Sequence, residues 1–107
     1  MSIKAPKEGD LVRQCLMWLH LNGYTVWRQN SGATQIGKRF VRFHAMPGCS
    51  DIVGWLNDGS GRFLAIECKR PGQKPTALQQ SFLDTLNQGG GVGLVVRSLD
   101  DLIRGLN

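Results

Sequence analysis

Hydrophobic positions alternate with polar ones in two distinct periods along the chain. From about Lys7 to Leu21, Leu11, Val12, Cys15 and Leu19 recur at helical spacing, with Leu16 and Trp18 flanking them. "LNGY" ends this helix, with Gly23 in the position that favours a left-handed residue. "YTVWRQ" then alternates and carries β-branched and aromatic residues, the pattern of a strand. "NSGATQIG" reads as a polar turn and "KRFVRFHA" as the return strand, so a hairpin with a long basic tip is expected. "MPGC" breaks the run. "SDIVGWL" and "RFLAIECK", joined by the turn signal "NDGSG", are expected to form an antiparallel pair.

A second helix is predicted from about Thr76 to Gln88. Thr76 and Gln79 stand in capping-box spacing at its start, and Gly89 to Gly91 stop it. "VGLVVR" is a continuous apolar run, the pattern of a strand buried on both faces. Ser98 and Asp101 open a short amphipathic helix, "LDDLIRGL". The expected order is αββββαβα, an α/β (α+β) domain with a mixed central sheet flanked by helices.

Composition narrows the class. The chain has 107 residues, 41% of them hydrophobic, enough for one domain (1–107) with a real core. No apolar run approaches the roughly 20 residues that span a bilayer, and "MSIKAPKEGD" contains no apolar signal region. A cytoplasmic location is expected, in the host cell if the chain is phage-encoded, with no membrane partner. Cys15, Cys49 and Cys68 are odd in number and form no Cys-x-x-Cys pair. With His20 and His44 they lack the spacing of zinc modules, so buried free thiols are expected. The formal net charge of +5 favours a polyanionic partner. The tryptophans Trp18, Trp27 and Trp55 fit either the core or an interface, with the core as the default.

The charges that do not fit a strand pattern carry the chemistry. Alternation puts Phe63, Ala65, Glu67 and Lys69 on one face of their strand and Leu64, Ile66 and Cys68 on the other. If "SDIVGWL" and "RFLAIECK" pair antiparallel, Asp51 at the start of one lies beside Glu67 at the end of the other. Two carboxylates so placed repel unless a cation or proton lies between them. Helical phase aims Glu8 toward the core stripe of the first helix and Gln79 toward Phe82, Leu83 and Leu86. Each has an ordinary explanation as well: a first-turn acid on the helix dipole for Glu8, a cap residue for Gln79.

Phosphodiester hydrolysis by a divalent ion suits this set, because Mg²⁺ takes one or two carboxylates with water and phosphate oxygens. Asp51, Glu67 and the backbone carbonyl of Cys68 are the expected ligands of Mg²⁺ or Mn²⁺. Lys69 would orient the attacking water or stabilise developing charge. Glu8 would reach the metal directly or through water, and Gln79 would position a phosphate or water. The expected DNA-facing residues are Lys38, Arg39, Arg42 and His44 on the hairpin, with Arg28 nearby, and Arg70 and Lys74 after the acidic strand. The alternative for the hairpin charges is a solvated edge that resists aggregation.

"GCSD", "IECKRPG" and "QQSFLDTLNQGGGVGLVVRS" together resemble the VRR-NUC (virus-type replication-repair nuclease) family of the PD-(D/E)xK nuclease superfamily, in its stand-alone phage form. The resemblance covers nearly the whole chain. It implies a restriction-endonuclease-like αβββαβ core and dependence on Mg²⁺ or Mn²⁺, with no small-molecule cofactor. It implies Asp51, Glu67 and the Cys68 carbonyl as ligands, Lys69 as the catalytic lysine, and Glu8 and Gln79 in support. It further implies a homodimer acting on branched DNA such as Holliday junctions, in replication, recombination or repair. Two other readings stay open at this level: a non-catalytic DNA-binding module, and a nuclease subunit active only with a partner helicase or recombinase. No residue excludes RNA.

Overall fold

The computed structural model describes residues 7–29, 32–36, 38–43 and 46–107, with 32–36 and 40–43 described by their backbone alone. Helix α1 runs Glu8–Leu21, with buried Leu11, Val12, Cys15 and Leu19 forming the stripe that the sequence period requires. Strand β1 (Thr25–Arg28) follows, then β2 (Gly32–Ile36), β3 (Arg39–Phe43), β4 (Ile52–Trp55) and β5 (Phe63–Cys68). Helix α2 (Ala77–Gln88), strand β6 (Val92–Val96) and helix α3 (Leu99–Leu106) complete the chain.

The α/β class with a mixed sheet holds, and one detail of the strand order does not. The segment read as a polar turn, Asn30 to Gly37, contains β2. That strand pairs with β3 as a separate two-stranded ribbon, with Ile36 opposite Arg39. Strand β1 does not pair with β3. It pairs antiparallel with β4, Val26 facing Gly54. Local hairpin pairing with β3 thus outweighs the turn signal that Gly32 gives.

The main sheet has the order β1-β4-β5-β6. Its β4–β5 pair is the expected antiparallel hairpin, with Ile52 opposite Ile66. The final strand β6 joins β5 in parallel through α2. Helices α1 and α3 cover one face, where Leu11, Cys15, Leu19 and Leu102 pack on Val26, Ile52, Leu64, Ile66, Cys68 and Val96. Helix α2 covers the other face, where Leu83 packs on Val53 and Ala65. Leu11, Leu64, Ile66 and Leu102 are essentially inaccessible to water, which makes the first face the larger core.

Two expectations about burial change. Strand β6 ends the sheet order, so only Val96 among its residues is fully buried, rather than the whole run. Trp27 and Trp55 are each 44% exposed instead of belonging to the core. They meet edge to face, with ring centroids 6.2 Å apart. Strand alternation puts both rings on the α2 face, where helix α2 makes its main contacts with β5 and β6. Trp18 does pack against the main core.

At Gly54 the chain needs the absence of a side chain. A Cβ there would lie 2.0 Å from the Thr25 carbonyl oxygen, so β1 could not approach β4.

Candidate active site

The site is built at the end of the sheet where β4 begins and β5 ends. The bond from Leu56 N–H to Arg62 O, at 2.9 Å, sets the phase of the β4–β5 ladder. Residues Ile52 and Ile66 are then a hydrogen-bonded pair, and one step further Asp51 stands opposite Glu67 in a non-hydrogen-bonded pair. Side chains are closest in pairs of that kind. Both residues lie on the α2 face, in line with Val53 and Ala65. The sequence expectation that the two acids meet is met by the register.

Ladder phase also explains how Asp51 is held. The next pair should join Ser50 to Cys68 through their backbones. Instead the Cys68 N–H donates to Asp51 Oδ2 at 2.8 Å. On its other side the Asp51 carbonyl accepts from Gln29 N–H at 2.8 Å, one step past the Arg28–Ile52 pair. Asp51 is thus fixed from both neighbouring strands. Since the Lys69 N–H donates to Val96 O toward β6, alternation turns the Cys68 carbonyl toward β4 and Asp51. Among the described strand-end hydrogen bonds, none ends on that carbonyl.

Glu67 is buried, 1% exposed, and its Oε2 has no hydrogen-bond partner among the described residues. Burial pushes its carboxyl pKa up to about 8, helped by the charge of Asp51 and the hydrogen-bonding contact with it; Lys69 pulls it down and Glu8 adds a further upward push. Lys69 places its Nζ 3.7 Å from Glu67 Oε1, with a side chain only 12% exposed. Cys49, half-buried beside the acids, has its thiol pushed up by burial and, more weakly, by the charges of Glu67 and Asp51.

The approach to Asp51 depends on Gly48. Its φ is +77°, and a Cβ there would lie 2.4 Å from Leu78 O and 3.1 Å from Gln79 N. Any side chain would lift the segment leading to Asp51 off the first turn of α2. Ser50 follows, fully buried, with an Oγ that lacks a partner among the described residues.

The weaker members occupy the ordinary places that their helices give them. Glu8 sits half-buried in the first turn of α1, near enough for its charge to act on Glu67. Gln79 forms the capping box: its N–H donates to Thr76 Oγ1 at 3.2 Å and its Oε1 accepts from Thr76 N–H at 2.9 Å. That leaves its amide NH₂ as the group with remaining donor capacity.

Of the basic residues, Lys38, Arg39, Arg70 and Lys74 are exposed, the last two on the loop after β5. Arg28 is exposed at the end of β1, on the face opposite the acids by strand alternation. The side chain of Arg42 and all of His44 lie outside the described residues. Arg97, not singled out by sequence reasoning, donates from Nη2 to Gln73 O at 2.8 Å and so ties the basic loop to the end of β6. Ser50 and Gln29 were also missed. A serine heading an apolar strand was a weak signal for the first; nothing local marked the second.

The donor set fits a hard divalent ion. Two opposed carboxylates, one oxygen of which is buried and unpartnered, and a carbonyl turned toward them provide oxygen ligands of the kind Mg²⁺ and Mn²⁺ prefer. Among the described residues no three His, Cys, Asp or Glu side chains cluster to hold a metal. The Cys68 carbonyl, turned toward Asp51, offers one further oxygen beside the two acids. All three cysteines are free, in line with their expected reduced state. No helix among the described residues is long and apolar enough to cross a membrane.

A search of curated proteins gave no match. The family model of the VRR-NUC domain matches residues 7–99, a span that takes in Glu8, Asp51, Glu67, Lys69 and Gln79. The chain belongs to the VRR-NUC family and is a nuclease of the virus-type replication-repair kind.

Proposed function

We propose that the chain is a Mg²⁺- or Mn²⁺-dependent DNA endonuclease, selective for branched DNA, that works as a homodimer in replication, recombination or repair. The observation that carries this reading is the Asp51–Glu67 pair: opposed on adjacent strands, with a buried, unpartnered Glu67 Oε2 and the Lys69 ammonium 3.7 Å from Oε1. A carboxylate pair kept in that state gains most from a cation between its members. A divalent ion held by Asp51, Glu67 and the Cys68 carbonyl supplies Lewis-acid polarisation of the phosphate and of the attacking water.

The chain's own residues do the rest. Asp51 is oriented by the Cys68 amide, so its second oxygen is available in a fixed place. Lys69 carries a positive charge beside the acids and donates to the water or to a non-bridging phosphate oxygen. Glu8 acts through water and through its field on Glu67. The Gln79 amide NH₂, at the first turn of α2, positions phosphate or water. Exposed Arg70 and Lys74, on a loop that starts immediately after Lys69, with Lys38 and Arg39, meet the phosphate backbone without reading sequence. Arg28, on the opposite face of the sheet, is left out of this surface, while Arg42 and His44, expected from the sequence to face DNA, lie outside the described side chains.

The homodimer is supported by an apolar surface beside the site. Met46, Pro47, Phe63, Leu78, Phe82 and Leu86 border a cavity of about 520 Å³, and Met46 and Leu78 are largely exposed. A second copy laid on such a surface would bury it and bring two sites together about a two-fold axis, as paired nicks in a junction require.

The test is cleavage of labelled four-way junction, flap, duplex and single-stranded DNA, with an RNA duplex beside them, in Mg²⁺, Mn²⁺ or EDTA. The expected result is metal-dependent nicking of the branched molecules at least about tenfold faster than of the linear duplex, a difference of about 1.4 kcal/mol in barrier. Tight binding with no cleavage in either metal would sink the proposal. Equal rates on all DNA forms would remove the branched-DNA part and leave the nuclease.

A further inference from the structure

Gln29 has no role in the chemistry just described, yet it stands in line with it. Its N–H donates to the Asp51 carbonyl at 2.8 Å, one step beyond the Arg28–Ile52 pair. Strand alternation then puts its side chain on the face that carries Trp27, Asp51 and Glu67. Gln29, Asp51 and Glu67 thus form one row across three adjacent strands. The residue is half-buried, so the row continues from the acids toward the surface.

Its amide is held in one orientation. Trp27 Nε1 lies 3.0 Å from Gln29 Oε1. An indole nitrogen only donates, so the oxygen end of the amide is the end fixed by the ring. The remaining hydrogen-bonding capacity of the side chain is concentrated in its NH₂ group. Trp27 is itself steadied by its edge-to-face contact with Trp55. A neutral donor suits this place. A cation there would compete with a metal for the two carboxylates, whereas an amide can donate to a phosphate oxygen without neutralising them.

From this row, and resting on the nuclease reading above, we propose that Gln29 is a substrate-binding residue whose amide NH₂ donates to a non-bridging oxygen of the DNA phosphate beside Asp51, and that Trp27 is the positioning residue that turns the amide to do so. Gln29→Glu keeps an oxygen for the Trp27 indole and replaces the donor by an acceptor, with an added charge beside Asp51, so it is read together with the uncharged Gln29→Met, which lacks the donor. Gln29→Leu removes both. Trp27→Phe keeps an aromatic ring against Trp55 and removes the indole donor.

The experiment measures single-turnover and steady-state cleavage of a labelled four-way junction in Mn²⁺ by the wild type, the four variants and the Trp27→Phe/Gln29→Leu pair, with thermal melts of each. Gln29→Glu, Gln29→Met and Gln29→Leu should lower kcat/KM by about ten- to a hundredfold, and Trp27→Phe by about tenfold. Melting temperatures should stay close to the wild type. In the Gln29→Leu background, Trp27→Phe should cost nothing further, because its effect passes through the amide. Wild-type rates for Gln29→Glu or Gln29→Met would overturn the proposal, and so would a Trp27→Phe loss that is the same in both backgrounds. If Gln29→Leu does not fold, Gln29→Met, uncharged and without a donor, decides between the two outcomes. Failure of the wild type to cleave would count against the nuclease reading itself and take this inference with it; wild-type cleavage with unaffected variants would remove this inference alone.

Discussion

Lys69→Ala should reduce single-turnover cleavage by about a hundred- to a thousandfold, the scale on which removing one preorganised charge-stabilising donor acts. The side chain is only 12% exposed, and its Nζ is 3.7 Å from Glu67 Oε1. Its ammonium therefore works in surroundings that screen it poorly, where a donor aimed at developing negative charge has most effect. A second consequence separates this role from simple packing. Lys69 is the group that lowers the Glu67 pKa, so its loss raises that pKa further. Saturating the residual activity with Mn²⁺ should then require a higher pH in Lys69→Ala than in the wild type. Lys69→Arg should not restore the rate, since a planar guanidinium does not put one compact donor at the ammonium position. Rates measured across pH at saturating Mn²⁺ check both statements. A Lys69→Ala enzyme within a few fold of the wild type would contradict them.

Glu67→Gln should change stability in a direction opposite to that of most carboxylate substitutions. A carboxyl that is salt-bridged in the folded state has a depressed pKa, and its contribution is lost as pH falls. Here the folded pKa is raised, from an ordinary value of 4.5 to about 8. Between those values the folded protein holds a proton that the unfolded chain has released. Stability of the metal-free protein therefore falls as pH rises from about 4.5 to about 8, and this contribution is flat outside that window. Glutamine abolishes the term. The variant should be the more stable protein at pH 8.5 in EDTA, by on the order of a few kcal/mol, while the difference should shrink toward pH 4.5. Urea denaturation of both proteins at several pH values in EDTA measures the difference. Parallel curves for the two proteins would show that Glu67 carries no such strain. The same substitution should abolish cleavage, so the protein would gain stability where it loses function.

The two results follow from features of unequal legibility in the sequence. Helix α1 and the capping box of α2 were readable because their signals are local: a 3.6-residue stripe in one, Thr76 and Gln79 at fixed spacing in the other. The Asp51–Glu67 pair was readable because a short turn, Asn57 to Gly61, joins its strands and sets their direction. Two kinds of feature were not. Strand β2, a local hairpin partner of β3, is hidden by Asn30, Ser31, Gly32 and Gly37, which speak for a turn, although Thr34 and Ile36 suit a strand. The pairing of β1 with β4 joins residues nearly thirty positions apart, and no local pattern announces it. That same pairing brings Gln29 to Asp51 and sets Trp27 beside Trp55, so the missed residue and the misassigned rings both depend on it. The phase of the β4–β5 ladder, which substitutes the Asp51 carboxylate for a backbone acceptor at Cys68, is likewise visible only in three dimensions.

The central claim is that Asp51 and Glu67 form one divalent-metal site. Calorimetric titration of Mn²⁺ into the protein at pH 7, repeated in buffers of different ionisation enthalpy, tests it most directly. At that pH a Glu67 carboxyl with a pKa of about 8 is mostly protonated, and ion binding must displace its proton. The wild type should bind Mn²⁺ saturably with release of close to one proton per site, while Glu67→Gln should lose both the affinity and the proton. Absence of binding to the wild type, or equal affinity and equal proton release in the two proteins, would contradict the account.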